Sequence, residues 1–277
     1  MNNKFALAAL SAALLSGAAF AADVGTAKAP LKAPVAAASS QIAGDVSMGV
    51  GMASYSSVES DGTLTTIAGE GRFAYGLGGG LVLQGDVSGQ TVVEDGFGVS
   101  AFALTGHVYS RSAGGAFGVK AEVENLVPFV GYTAGLEGQL FMGNITLGGE
   151  LNGSYYTLIE ETGIQARGLA RIYLNPNTRL QLDASWWGGE AWTNVGSPVS
   201  GAASIAQRLA GTPIDLTAQV RYDSLYSGDL TILSGQIGLR FNFDKQNSTI
   251  LSHDRDGVVF DKYKPGGLVN YYYGGCG

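Results

Sequence analysis

The stretch Leu233-Ser234-Gly235-Gln236-Ile237-Gly238-Leu239-Arg240-Phe241-Asn242-Phe243 decides how the chain is read. On an extended backbone Leu233, Gly235, Ile237, Leu239, Phe241 and Phe243 share one face, and Ser234, Gln236, Arg240 and Asn242 the other. Successive side chains of a strand point to opposite sides, so this is an amphipathic strand whose apolar face carries no charge. The texture repeats upstream. Ile214, Leu216, Ala218, Val220 and Tyr222 oppose Asp215, Thr217, Gln219 and Arg221, while Ile164, Ala166, Ala170 and Ile172 oppose Gln165, Arg167 and Arg171. Twelve such segments run over about 43–56, 62–75, 79–91, 97–110, 115–124, 130–142, 144–157, 163–175, 178–190, 199–210, 213–225 and 230–243. Clusters of Gly, Asn, Asp and Ser separate them. Pro128, Pro176, Pro198 and Pro213 fall in connections or on a first strand position, where a missing N–H costs no ladder bond.

Two containers accept such strands: a soluble sandwich with its apolar faces turned inward, or a membrane barrel with them turned outward. Four features favour the barrel. The apolar face is rich in Gly and Ala, which bury too little area for a soluble core; the chain has 43 Gly and only 14% charged residues. A tilted strand of about ten residues spans roughly 25 Å, the height of an outer-membrane apolar band. Aromatic residues collect at segment ends: Phe73, Tyr75, Tyr109, Phe117, Phe141, Tyr173 and Phe243 near one rim, Tyr55, Phe97, Tyr132, Tyr155, Trp186, Trp192 and Tyr222 near the other. Alternate connections are unlike. One set is tight (Gly76-Leu77-Gly78, Ser112 to Gly114, Gly143, Pro176-Asn177, Gly211-Thr212). The other is acidic, with no Lys or Arg, and contains Glu59, Asp61, Glu94, Asp95, Glu160 and Glu161 as a candidate outer mouth. The expected fold is all-β: a transmembrane antiparallel up-and-down β-barrel of about twelve strands, closed by the strand ending at Phe243. Ten or fourteen strands follow if the fifth or tenth segment is misread, or if the connection from Glu190 to Val199 hides another.

Around the barrel (41–244), residues 1–21 read as a signal peptide: Lys4, an apolar stretch from Phe5 to Leu15, then Ala19-Phe20-Ala21 as an A-x-A cleavage site. Residues 22–40, with Lys28, Pro30, Lys32 and Pro34, read as a flexible periplasmic leader. Residues 245–277 lose the alternation and form a periplasmic tail to which the sequence assigns no role. An even strand count puts both termini in the periplasm. Cys276 is the single cysteine, so no disulfide forms within the chain. A net charge of −7 gives no reason to expect a nucleic-acid partner.

Within the last strand Gln236, Gly238, Phe241 and Phe243 follow the closing-strand pattern of bacterial outer-membrane barrels: a polar residue, Gly two later, then aromatics at alternate positions. On these residues, and on Ile205 to Asp223, the chain resembles the small outer-membrane β-barrel (porin-like) proteins of alphaproteobacteria. It departs from them in continuing past Phe243 to Gly277. The resemblance implies a channel or structural envelope protein of the bacterial outer membrane. It also implies outer-membrane lipid, lipopolysaccharide and the barrel-assembly machinery as partners; self-association is left open.

Alternation turns Asp45, Glu70, Asp86, Glu122, Glu137, Glu150, Asp183 and Asp215 inward, together with Arg72, Lys120, Arg167, Arg171, Arg208, Arg221 and Arg240. Such rows either tune a water-filled pore or pair into a network that closes it. The first reading gives a passive channel for small hydrophilic solutes, mildly cation-preferring because of its acidic mouth. The second gives a non-conducting envelope barrel. An outer-membrane lipid-modifying enzyme is less favoured: His107 and Ser110, three apart on a strand, point to opposite faces. No loop sets three carboxylates at ligand spacing, and Asp254-Arg255-Asp256-Gly257 lacks the downstream Glu of a calcium loop. No metal and no cofactor are expected.

Overall fold

Twelve antiparallel strands carry the alternation in the computed structural model, which describes residues 42–57, 61–94, 97–126, 129–157, 160–192, 196–225, 229–243 and 248–261. They are β1 (Ile42–Ser57), β2 (Asp61–Gly78), β3 (Leu81–Glu94), β4 (Phe97–Ser112), β5 (Gly115–Leu126), β6 (Phe129–Met142), β7 (Ile145–Tyr156), β8 (Glu161–Asn175), β9 (Thr178–Gly188), β10 (Val199–Arg208), β11 (Ile214–Leu225) and β12 (Leu230–Asn242). Each pairs with its sequence neighbours, and β1 pairs with β12, so the sheet closes on itself. Twelve is therefore the strand count. The connection after β9 holds a 3-10 turn at Glu190–Trp192 in place of a further strand. The proposed signal peptide, the leader and Cys276 lie outside the described residues.

Closure removes both free edges, which hydrocarbon could not satisfy. At the seam Asp45 stands opposite Asn242 and Gly49 opposite Gly238. Here the backbones leave no room for side chains. A Cβ at Gly51 would lie 2.3 Å from the Gly235 carbonyl oxygen, and one at Gly238 would lie 2.6 Å from that of Met48.

The apolar parity of every strand faces out. Met48, Ile67, Leu104, Leu136, Leu151, Leu182, Ile237, Leu239 and Phe241 are among some three dozen large apolar residues left exposed. Asp45, Asp86, Arg171, Asp215 and Arg240 are buried on the opposite parity. This inversion, grease outside and charge inside, is the arrangement of a transmembrane barrel.

Two details depart from the sequence expectation. First, β2 runs on through Gly78 with a bulge between Gly76 and Gly78, and the reversal falls on Gly79-Gly80, at φ 62° and 86°. Only glycine adopts that left-handed pair without strain. Second, the aromatic residues divide between rim and lumen. Phe73, Tyr75, Phe117, Tyr132, Tyr155, Trp186, Tyr222 and Phe243 face outward. Tyr55, Tyr109, Tyr173 and Trp192 are buried inside, and Phe141 packs with an inner cluster. Strand parity explains the correction. Tyr109 shares its side with His107, Tyr173 with Arg171, and Phe141 with Gln139.

Leu239 is about half exposed on the outer face near the closing seam. Leu239→Arg is expected to weaken folding into lipid vesicles by about 2–4 kcal/mol if the site lies near mid-membrane. A denaturant titration of the folded fraction in vesicles measures this.

Candidate functional site

The lumen is the concave surface of this fold, and its two walls differ. Over β10, β11, β12 and β1 many inward residues are short (Ala202, Ser204, Thr217, Ser234, Gly238, Ser47 and Gly49), with Arg208, Arg221 and Arg240 projecting between them. Long charged arms fill the opposite wall. Between the walls lies a cavity of about 230 Å3 whose lining includes Glu70, Arg72, Arg167, Arg179, Asp183, Arg221, Arg240 and Asp261.

Most of the expected lining residues meet in ion pairs. His107 bridges Asp86 at 3.0 Å and Glu137 at 2.8 Å. Lys120 donates to Glu150 at 2.5 Å, Arg167 donates to Glu150 at 2.6 Å, and Arg167 also holds Asp183 through Nε at 2.9 Å. Asp215 takes Arg208 on one oxygen and Arg240 Nε, at 2.8 Å, on the other. Arg221 donates to Asp223 at 2.7 Å and to Ser200 at 3.0 Å, and Thr105 donates to Glu122 at 2.7 Å. Glu70 and Arg72 reach the cavity, and Arg72 donates to Asp45 at 2.7 Å. Burying so many charges is tolerable only because nearly all find partners; an unpartnered ion in low dielectric would cost several kcal/mol.

The largest departure from the sequence reading is the segment after the closing strand. Residues Ser248 to Asp261 lie inside the barrel, at the end where the connections are tight. Thr249 caps a short helical turn at Ile250–Ser252, which continues as a π-helical turn over His253–Gly257. Val258, Val259 and Phe260 then run extended and fully buried. Ten strands reach this segment through hydrogen bonds, ring contacts or ion pairs. Arg255 donates to the carbonyls of Gly143 (2.8 Å) and Ile145 (2.7 Å) and to Thr146 (3.1 Å), with the Phe141 and Tyr173 rings 5.2 and 5.3 Å away. Arg179 and Tyr173 donate to Asp254 at 2.8 and 3.1 Å. His253 meets Asp45 at 2.7 Å, and Arg208 donates to the Ser248 carbonyl at 2.6 Å. Gln84 and Gln139 donate to the carbonyls of Phe260 (2.7 Å) and Val259 (2.9 Å), satisfying an extended stretch that has no strand partner. Phe260 stacks on His107, and its ring lies edge-on to Tyr109 at 5.0 Å.

The segment ends in a carboxylate. Asp261 accepts from Arg171 at 2.5 Å and from Arg72, and its carbonyl accepts from Arg167 at 3.3 Å. Burial alone would raise the pKa of Asp254 and Asp261. Arg171 and Arg179 outweigh it for both, with Arg72 adding for Asp261, and hold the two carboxyls below the ordinary value of 3.8. Their contribution to docking is therefore complete above that value and fades only in strong acid.

At the opposite end the inner face turns apolar. Tyr55, Leu64, Val92, Leu225, Leu230 and Ile232 form a buried cluster, and Tyr156, Trp187 and Trp192 a second one. Beyond them stands part of the acidic set: Asp61 and Glu161 open β2 and β8, Glu94 closes β3, and Glu160 turns at φ 54°. Glu59 and Asp95 lie outside the described residues. Of the closing-strand residues, Gln236 and Gly238 border the cavity, whereas Phe241 and Phe243 face outward.

Sequence reasoning missed Arg179 and Gln139 as inward groups, and it missed the whole of the tail's contribution. Strand parity was enough to find the first two, since Arg179 shares its side with Gln181 and Asp183. The tail gave a fainter signal. Val258-Val259-Phe260 between Asp256 and Asp261 is an apolar run that a solvated tail has no use for.

The COG4313 outer membrane channel from Pseudomonas putida F1 superposes with a TM-score of 0.59 at 13% identity, covering 79% of this chain and 100% of that one. The NanC porin gives a TM-score of 0.53 at 9% identity, covering 70% and 98%. The chain shares the closed β-barrel fold of these outer-membrane proteins. Neither family models nor curated protein sequences give a match.

Removing the Arg255 side chain strips three hydrogen bonds from a charged donor. Arg255→Ala is expected to weaken docking of the tail by about 2–3 kcal/mol, allowing for relaxation around the site. Faster amide hydrogen exchange over 250–260, with strand amides unchanged, is the readout.

Proposed function

We propose that the protein is a porin-like passive channel of the bacterial outer membrane for small hydrophilic solutes, closed at rest by its own C-terminal segment. One observation carries this reading: a segment that is not part of the barrel wall lies buried at the tight-turn end of the lumen, with its Asp261 bordering the polar cavity. A wall built only for stability has no need of a separate plug, because Arg and Tyr side chains from the strands alone could fill a twelve-stranded lumen. A plug held by side chains, rather than by strand pairing, can leave without unzipping the sheet.

In this reading the tight-turn end and both termini are periplasmic, and the acidic connections face outside. Partners are outer-membrane lipid, lipopolysaccharide and the assembly machinery that receives Phe241 and Phe243. The mouth, with Asp61, Glu94, Glu160 and Glu161, confers a mild cation preference through its field. The lumen behind it is balanced differently. Within the docked segment 248–261, Asp254, Asp256 and Asp261 stand against Arg255 as its one Lys or Arg, so undocking removes negative charge from between the arginines of the wall. The second reading, a non-conducting envelope barrel, is favoured by the same plug if it never leaves.

Planar-bilayer recording separates the two. The full chain is expected to give rare, small, mildly cation-preferring openings. A chain ending at Asp244 should conduct several-fold more, with its reversal potential in a salt gradient shifted toward anions. Equal silence of both, in protein whose folding is verified by its circular dichroism, would establish the non-conducting barrel.

A further inference from the structure

Arg171 is fully buried, and its partners on the barrel wall are neutral: Gln181 accepts from its Nε at 3.0 Å and Gln139 lies 3.3 Å from its Nη1. Among the described residues its one carboxylate partner is Asp261, at 2.5 Å, which comes from the tail. The wall has therefore built a desolvated guanidinium without its own counter-ion, beside Arg72 and Arg167, and left the space in front of it to a carboxylate that arrives from elsewhere. A buried guanidinium strongly favours such an occupant, and its planar fork suits a carboxylate better than a spherical ion.

Three features show that the space accepts more than the tail. Asp261 borders the 230 Å3 cavity, so a group standing in its place would continue into open volume. The side chain of Arg179, nine-tenths buried and also on the cavity lining, keeps its Nε–H without an acceptor among the described residues. The facing wall offers the hydroxyls of Ser47, Ser204 and Thr217. We propose that Arg171, Arg72 and Arg179 form a binding site for a small hydroxylated monocarboxylate in the lumen, and that Asp261 is its resident intramolecular competitor. This rests on the channel reading for its physiological use, though not for its existence. The carboxylates already facing these arginines, Asp45 toward Arg72 and Asp254 toward Arg179, stay paired as they are. The incoming anion replaces Asp261 alone.

Calorimetry on the detergent-solubilised full chain tests the site, with gluconate as probe and sorbitol as its uncharged counterpart. Asp261→Ala is expected to bind gluconate at least tenfold more tightly than the native chain, with sorbitol inert toward both. Adding Arg171→Gln to Asp261→Ala should abolish the gain. Arg72→Gln serves the same purpose where the first double variant fails to assemble. Equal gluconate affinity in the native and Asp261→Ala chains overturns the proposal. So does a gain matched by sorbitol, or by chloride at the same concentration, or one that survives loss of Arg171 or Arg72 in folded protein. Bilayer recording on Asp261→Ala keeps the two readings apart. Gluconate binding by a silent barrel removes the channel and leaves the site standing, whereas a conducting barrel that binds no gluconate removes the site.

Discussion

Everything in this molecule follows from a sheet that cannot afford an edge. In hydrocarbon an unpaired N–H or C=O has no water to turn to, so β1 and β12 must meet, and the glycines at their seam exist to let the two backbones approach. Once the ring is closed with its apolar parity outward, the polar parity has nowhere to go but in. Twelve strands then set the problem that the rest of the chain solves: a lumen too wide to be filled by short side chains and too charged to be left dry.

The wall solves that problem unevenly. From β2 to β9 it extends long arms that neutralise one another in chains such as Lys120–Glu150–Arg167–Asp183 and Asp86–His107–Glu137. From β10 round to β1 it sets many small inward residues among Arg208, Arg221 and Arg240, and the cavity lies against that side. The C-terminal segment supplies what the wall lacks: an apolar run against Tyr109, carbonyl acceptors for Gln84 and Gln139, and an anion for Arg171. The aromatic rings turned inward at that end, rather than toward lipid, are part of the same fit.

Much of this was legible in the sequence, because a two-residue period is a strong signal when one face must be free of charge. The alternation around Leu239, the placement of prolines and the contrast between tight and acidic connections locate the strands to within a few residues. The same parity, applied strictly, assigns Tyr109 and Tyr173 to the lumen; a belt of aromatics at segment ends is a looser criterion, and it misled. What no period could reveal is the course of residues 248–261. Their helical turn is too short to leave a pattern. Their partners come from ten strands scattered over about two hundred residues, and most contacts are a side chain meeting a backbone carbonyl, a ring or a lone ion. Contacts of that kind leave no local trace.

Only residues 244–247 separate the barrel from the segment that enters it. A group tethered so closely is present at its target at an effective concentration on the order of millimolar, whatever the dilution of the protein itself. Any free molecule that would take its seat must therefore be abundant, not merely well shaped. At the proposed site the brevity of that tether sets a threshold: scarce compounds leave Asp261 in place, and plentiful ones displace it by mass action.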